Sequence, residues 1–94
     1  MVAQSSTYIH PWYSYLKQMN NSISYQRNEK ELVWHQEYIY QDGDLIGEIF
    51  SNIDEGGYNL RKLVPAGEAM IFTNIAHFDS VSDAKAFVNQ AGGL

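Results

Sequence analysis

The stretch LVWHQEYIYQDGDLIGEIFSNI, residues 32–53, decides the fold of this 94-residue chain. Two runs of alternating apolar and polar residues flank the pair Asp42-Gly43, and such alternation is typical of β-strands. Gly accepts the positive φ that a tight hairpin needs, so the pair predicts a turn between strands 32–40 and 45–53. The first strand has an apolar face and a polar face. Leu32, Trp34, Tyr38 and Tyr40 are predicted on the apolar face, and His35 and Glu37 on the polar one.

Strand and helix patterns continue on both sides of this hairpin. Residues 23–27 carry a short strand signal that is not counted among the predicted strands, and further strands are predicted over 58–64 and 69–78, the first of them after a Gly56-Gly57 turn. Apolar residues at helical spacing predict a helix over residues 8–19. Ser80 and Asp83 form a helix-capping pair, and the helix that they begin carries a predicted buried stripe of Ala84, Phe87, Val88 and Ala91.

The predicted fold class is therefore α+β. It consists of an antiparallel meander of about four strands, with an N-terminal and a C-terminal helix packed on the sheet. A chain of 94 residues has room for a single domain, which spans residues 1–94, and its polar residues 1–6 are expected to be frayed.

The acidic residues are concentrated in one segment. Between residues 31 and 60 the chain has seven carboxylates and no Lys or Arg, and we call this segment the acidic block. Its seven acids are Glu31, Glu37, Asp42, Asp44, Glu48, Asp54 and Glu55. Because the basic residues lie outside the block, the sequence predicts an acidic platform that lacks counter-charges and suits a basic partner.

Composition excludes several other roles. The net charge of −5 disfavours direct binding to nucleic acid or to anionic lipid, since both repel an acidic surface. With no Cys there is no disulfide and no thiol nucleophile, which fits a cytoplasmic protein. No run of about 20 apolar residues predicts a membrane span, and the N-terminus lacks the pattern of a secretion signal.

The order of strands, turns and helix over roughly residues 32–91 resembles a known type of module. Asp42-Gly43, Gly47, Gly56-Gly57-Tyr58 and Phe78-Asp79-Ser80 followed by Ala84 are similar to the three-strand-plus-helix modules of AP2 and tyrosine-recombinase arm-binding domains. The resemblance implies a sheet that lies in a DNA major groove. Those sheets present Arg and Lys, however, whereas this chain has acids there, so the DNA-binding residues of that family are not carried over.

Other sites have plain structural explanations. Asp42, Asp44 and Glu48 could hold a hard cation, but the first two are ordinary turn residues. His10, His35 and His77 lack the spacing of a metal or catalytic motif. No nucleophile elbow or phosphate loop is present either. We therefore expect no enzyme activity, no metal site and no cofactor.

The function expected from the sequence is that of a non-enzymatic protein-interaction module. In its most concrete form it is an acidic, nucleic-acid-mimicking inhibitor or adaptor of a basic nucleic-acid-handling protein, such as a defence nuclease complex. In size and charge the chain resembles small phage anti-defence proteins of the anti-CRISPR type. The alternatives are an oligomerising module that forms a homodimer through an edge strand, and a small-molecule binder or enzyme. The predicted partner-binding residues are Glu37, Asp42, Asp44, Glu48, Asp54, Glu55, Tyr40 and Tyr58.

Overall fold

The computed structural model describes residues 22–94, which form one antiparallel sheet of five strands and one helix. The strands lie side by side in chain order. They are β1 (Ile23–Arg27), β2 (Gln36–Gln41), β3 (Asp44–Ser51), β4 (Tyr58–Ala66) and β5 (Ala69–Phe78), and the helix α1 is Val81–Ala91.

The predicted count of about four strands is wrong, because the sheet has five. The short segment Ile23–Arg27 pairs with β2 along its whole length, so it adds a fifth strand to the meander. The predicted helix over residues 8–19 lies outside the described residues. Among residues 22–94, α1 is the one helix, and its 11 residues are too few to span a membrane.

The turn at the centre of the sequence forms as expected. Asp42 and Gly43 have φ values of 53° and 89°, the left-handed conformation of a two-residue hairpin turn. The strand that precedes it begins at Gln36 rather than at Leu32, so residues 32–35 belong to the connection between β1 and β2. The faces of β2 are also opposite to the prediction, because Glu37 and Ile39 are buried whereas Tyr38 and Tyr40 are half-buried.

The core lies between the sheet and α1. Directly paired residues share a face, and Ile49 pairs with both Glu37 and Leu60. The fully buried apolar side chains are Ile39, Ile49, Leu60, Ala84 and Val88. Two of the four residues of the stripe predicted for α1 are not buried: Phe87 is 45% exposed and Ala91 is also exposed, so Ala84 and Val88 anchor the helix.

Helix α1 begins and ends as the sequence predicts. The Ser80 hydroxyl accepts a hydrogen bond from the Asp83 amide at 3.1 Å, and Asp83 places a carboxylate in the first turn. Gly92 ends the helix with a φ of 74°. From this start beside β5, α1 crosses the sheet towards β1, where Tyr25 donates a hydrogen bond to Asn89 at 2.9 Å.

Candidate functional site

Two acids of the predicted binding surface are buried and paired inside the fold. Glu48 is 1% exposed and Glu37 is 7% exposed. They lie on neighbouring strands but on opposite faces of the sheet, since Glu37 pairs with Ile49 in register and Glu48 with Tyr38. The prediction that the acidic block lacks counter-charges is therefore wrong for these two residues.

Glu48 is the centre of a row of polar contacts on the face opposite α1. Arg61 donates to its Oε2 at 2.9 Å, and Gln36 donates to its Oε1 at 3.0 Å. Arg61 also donates to Asn74 at 3.0 Å, while Asn28 donates to Gln36 at 2.8 Å. We call these residues the polar ladder, because they link the end of β1 to β2, β3, β4 and β5. The hydrogen bonds of the ladder satisfy the Glu48 carboxylate, whose burial without partners would strongly destabilise the fold.

Glu37 belongs to a second cluster, between the sheet and α1. Lys85 contacts Glu37 Oε2 at 2.5 Å, and His35 contacts Oε1 at 2.7 Å. Burial raises the pKa of Glu37, but the hydrogen bonds from Lys85 and His35 outweigh it, so the net pKa lies below its ordinary value. The Lys85 ammonium also lies over the Tyr25 ring, 4.7 Å from its centroid. Burial, and then the charge of Glu37, raises the pKa of Tyr25.

The two predicted tyrosines do not form one patch. Tyr58 is half-buried and makes an edge contact with His35, with ring centroids 5.7 Å apart. Tyr40 is half-buried and pairs with Ser24 and Leu45 at the opposite end of β2.

The remaining predicted acids are exposed, but they lie at opposite ends of the sheet. Asp42 and Asp44 flank the β2–β3 turn, whereas Asp54 and Glu55 lie in the β3–β4 turn. The eight residues of β3 separate these turns, a distance of about 25 Å at the rise of an extended strand. No row of strand carboxylates with phosphate-like spacing is present between residues 22 and 94.

One end of the sheet collects more acids than the sequence block suggests. The β1–β2 connection, the β3–β4 turn and the start of α1 all lie at this end, which we call the acidic end. Its carboxylates are Glu29, Glu31, Asp54, Glu55, Asp79 and Asp83, and Lys30 is the only Lys or Arg in these connections and the first turn of α1. Five of the six are exposed, and Glu31 is half-buried. Four of them come from outside the predicted binding set.

Large apolar side chains are exposed among these acids. Leu32 is 89% exposed, Val33 75% and Ile53 62%. They are the three most exposed large hydrophobic residues that the structure describes. Exposed apolar groups inside a ring of polar ones are typical of a protein contact surface. The prediction of a strand over residues 32–40 does not indicate that Leu32 and Val33 are exposed in a loop. The preceding run Asn28-Glu29-Lys30-Glu31, however, has the composition of a loop.

Local hydrogen bonds hold the loops of the acidic end in place. The Asn52 side chain accepts from the amides of Asp54 and Glu55, at 3.1 and 3.0 Å. The Glu31 carboxylate accepts from the Val33 amide at 3.0 Å. His77 Nε2 and the Gly56 carbonyl are 2.7 Å apart, which ties the β3–β4 turn to β5. Gly57 has a φ of 70°, and a Cβ at this position would collide with the His77 ring.

The structure shows no group of three or more His, Asp or Glu side chains among residues 22–94 that could hold a metal ion. The chain matches no protein-family model, no curated protein and no solved structure.

Proposed function

We propose that this protein is a non-enzymatic interaction module that binds a basic protein through its acidic end. The observation that carries the proposal is the coincidence of two features in one place. The connections at this end of the sheet hold six carboxylates and also the three most exposed large hydrophobic side chains of the described residues, Leu32, Val33 and Ile53.

Each feature has a separate role in such a contact. The apolar side chains supply the area whose burial stabilises a complex, and the carboxylates at the same end of the sheet select a basic partner and steer its approach. The hydrogen bonds that the Asn52 and Glu31 side chains accept from backbone amides fix the loops before binding, which lowers the entropic cost of association.

The partner class that we propose is a basic nucleic-acid-handling protein. Such proteins carry surfaces of Arg and Lys that bind phosphate, and an acidic surface competes for them. The protein would then act as an inhibitor or adaptor of that partner. The proposal requires only the carboxylates of the acidic end. It does not require carboxylates that are spaced along one strand like the phosphates of a nucleic acid.

A capture experiment with two matched charge reversals tests the proposal. Asp54→Lys with Glu55→Lys reverses charge at the acidic end, and Asp42→Lys with Asp44→Lys reverses the same charge at the opposite end. All four residues are exposed. We expect tagged wild-type protein and the Asp42/Asp44 variant to retain the same basic partners from host lysate, and the Asp54/Glu55 variant to lose them. Loss with the Asp42/Asp44 variant alone would contradict the proposal.

Salt dependence adds a second readout once a partner is purified. Attraction between opposite charges is screened over about 8–10 Å at physiological salt, so the association rate should fall as salt rises. Leu32→Ser should raise the dissociation rate instead, because it removes apolar contact area and no charge. A complex that responds to neither change would not use this surface.

A further inference from the structure

A second contact surface is independent of the acidic end: the outer edge of β5. Strand β5 has ten residues, and β4 pairs with one of its edges. Among residues 22–94, no strand pairs with the other edge. Its residues are mostly exposed, including Met70 at 55%, Ile71 at 48% and Ile75 at 46%. Unpaired N–H and C=O groups on such an edge are a template for another strand.

We propose that two copies of this chain pair through β5, antiparallel, to form a continuous ten-stranded sheet. Charge favours a second copy as the occupant of this edge. The chain has a net charge of −5, yet β5 contains no Asp, Glu, Lys or Arg. Within the strand, two copies therefore meet without like-charge repulsion, and the nearest acids, Glu68 of one copy and Asp79 of the other, lie beyond its ends. A basic partner finds no carboxylate on the strand.

The register of the strand is compatible with a two-fold axis at Thr73. Leu60 pairs with Ala76 and Arg61 with Asn74, so Ile75 is a bulge without a partner in β4. If Ile75 is unpaired in both copies, Thr73 of one copy lies opposite Thr73 of the other. In every pair of this register, the two side chains then lie on the same face of the sheet. The other pairs are Phe72 with Asn74, Ile71 with Ala76, Met70 with His77 and Ala69 with Phe78.

The surroundings of β5 also fit a closed dimer. Phe87 of α1 is 45% exposed and lies against Phe78, with ring centroids 5.5 Å apart, so it extends the apolar surface beside the edge. The opposite edge of the sheet is β1, which has half the length and carries Arg27. Because the two edges differ, pairing β5 with β5 closes the assembly instead of starting a filament.

This dimer would present two acidic ends. In an antiparallel pair, the Phe78 end of one β5 lies beside the Ala69 end of the other, so the acidic ends point in opposite directions. They are kept apart, and each stays open to a partner. The inference does not rest on the proposed function, because a chain with no basic partner could still form the same dimer.

Cysteine cross-linking tests the register directly, because the chain has no native Cys. Antiparallel residues directly opposite each other have Cα atoms about 4.5–5.5 Å apart, within the range that a disulfide spans. Thr73→Cys should therefore form a covalent dimer under mild oxidation. Met70→Cys is the matched control, since the two Met70 residues would be roughly 20 Å apart along the strands.

Light scattering over a concentration series completes the test. We expect the wild-type chain to have twice its monomer mass, Ile71→Lys to be monomeric and Leu32→Lys to remain dimeric. Circular dichroism should show that Ile71→Lys keeps its sheet. A monomeric wild-type chain, a dimer that Ile71→Lys leaves intact, or equal cross-linking of Thr73→Cys and Met70→Cys would overturn the inference.

Discussion

The two buried carboxylates of the strands and the exposed carboxylates of the β3–β4 turn differ in their contacts. Glu37 and Glu48 lie within strands, are almost fully buried and contact Lys85 and Arg61. Asp54 and Glu55 lie in a turn, are exposed and have no ion pair among the described residues. All four belong to the acidic block in the sequence, so the local charge pattern does not show which acids are exposed and without an ion pair.

Strand register and helix docking explain the difference. Arg61 is 13 residues from Glu48 in the chain but lies directly opposite it across β3 and β4. Lys85 is 48 residues after Glu37 and reaches it because α1 crosses the sheet. Turn residues have no neighbouring strand to supply such a partner. Acids in turns are therefore the ones available to another protein.

The largest effect is expected from reversing a strand carboxylate. Glu48→Lys would place an ammonium beside the Arg61 guanidinium at a buried position, and breaking a buried pair costs about 3–5 kcal/mol. A chain of this size has a stability of about 5–10 kcal/mol, so the variant should be largely unfolded near physiological temperature. Asp44→Lys, at the exposed first position of β3 beside the β2–β3 turn, is the control. Urea unfolding monitored by circular dichroism measures both, and equal stability would remove the distinction between strand and turn acids.

An intermediate and pH-dependent effect is expected at Glu37. Lys85→Met should lower the free energy of unfolding by about 1–2 kcal/mol at pH 7, less than for a fully buried pair because the lysine is about one-third exposed.

The pH dependence follows from the sign of the pKa shift. The pKa of Glu37 is lowered from its ordinary value of 4.5, so the carboxylate stabilises the fold above that pH and loses this contribution as pH falls through the folded-state pKa. The difference between wild type and Lys85→Met should therefore shrink as pH falls below 4.5. A difference that stays constant in urea titrations over this range would contradict the pairing.

The smallest effect on stability is expected at the turn acids. Asp54→Lys with Glu55→Lys should change the free energy of unfolding by less than about 0.5 kcal/mol, as for most exposed positions. The Asn52 side chain caps the backbone amides of both residues, and this contact does not depend on their side chains. Differential scanning calorimetry of the variant against wild type would measure the change. A loss of several kilocalories would mean that the turn carboxylates hold the fold together.

Residues close together in the sequence predicted the central turn, strand 69–78 and the start of the C-terminal helix. They did not predict which side chains are buried by contacts with distant parts of the chain. The Asp42-Gly43 turn, strand 69–78 and the Ser80 cap follow from residues close in sequence, and all three are confirmed. The faces of β2 could not be predicted by alternation, because Tyr38 and Ile39 are both apolar and Glu37 is buried through its ion pair. Phe87 looked like a core residue by helical spacing, but α1 is anchored by the smaller Ala84 and Val88.

The candidate site was predicted only in part. Asp54 and Glu55 were in the predicted set and lie at the acidic end. The carboxylates of Glu29, Asp79 and Asp83 join them because three connections meet at one end of an antiparallel meander, which is a property of topology. Leu32 and Val33 were assigned to a strand, so their exposure was not expected.

Chemical-shift mapping with a basic, leucine-containing peptide tests the central claim most directly. The claim is that the acidic end, and not the acidic block as a whole, is the binding surface. In a ¹⁵N-resolved NMR titration, we expect the largest shifts at Leu32, Val33, Ile53, Asp54 and Glu55, and small shifts at Asp42 and Asp44. The mapped shifts should weaken as salt rises. Equal shifts at both ends of the sheet, or the largest shifts around Asp42 and Asp44, would contradict the claim.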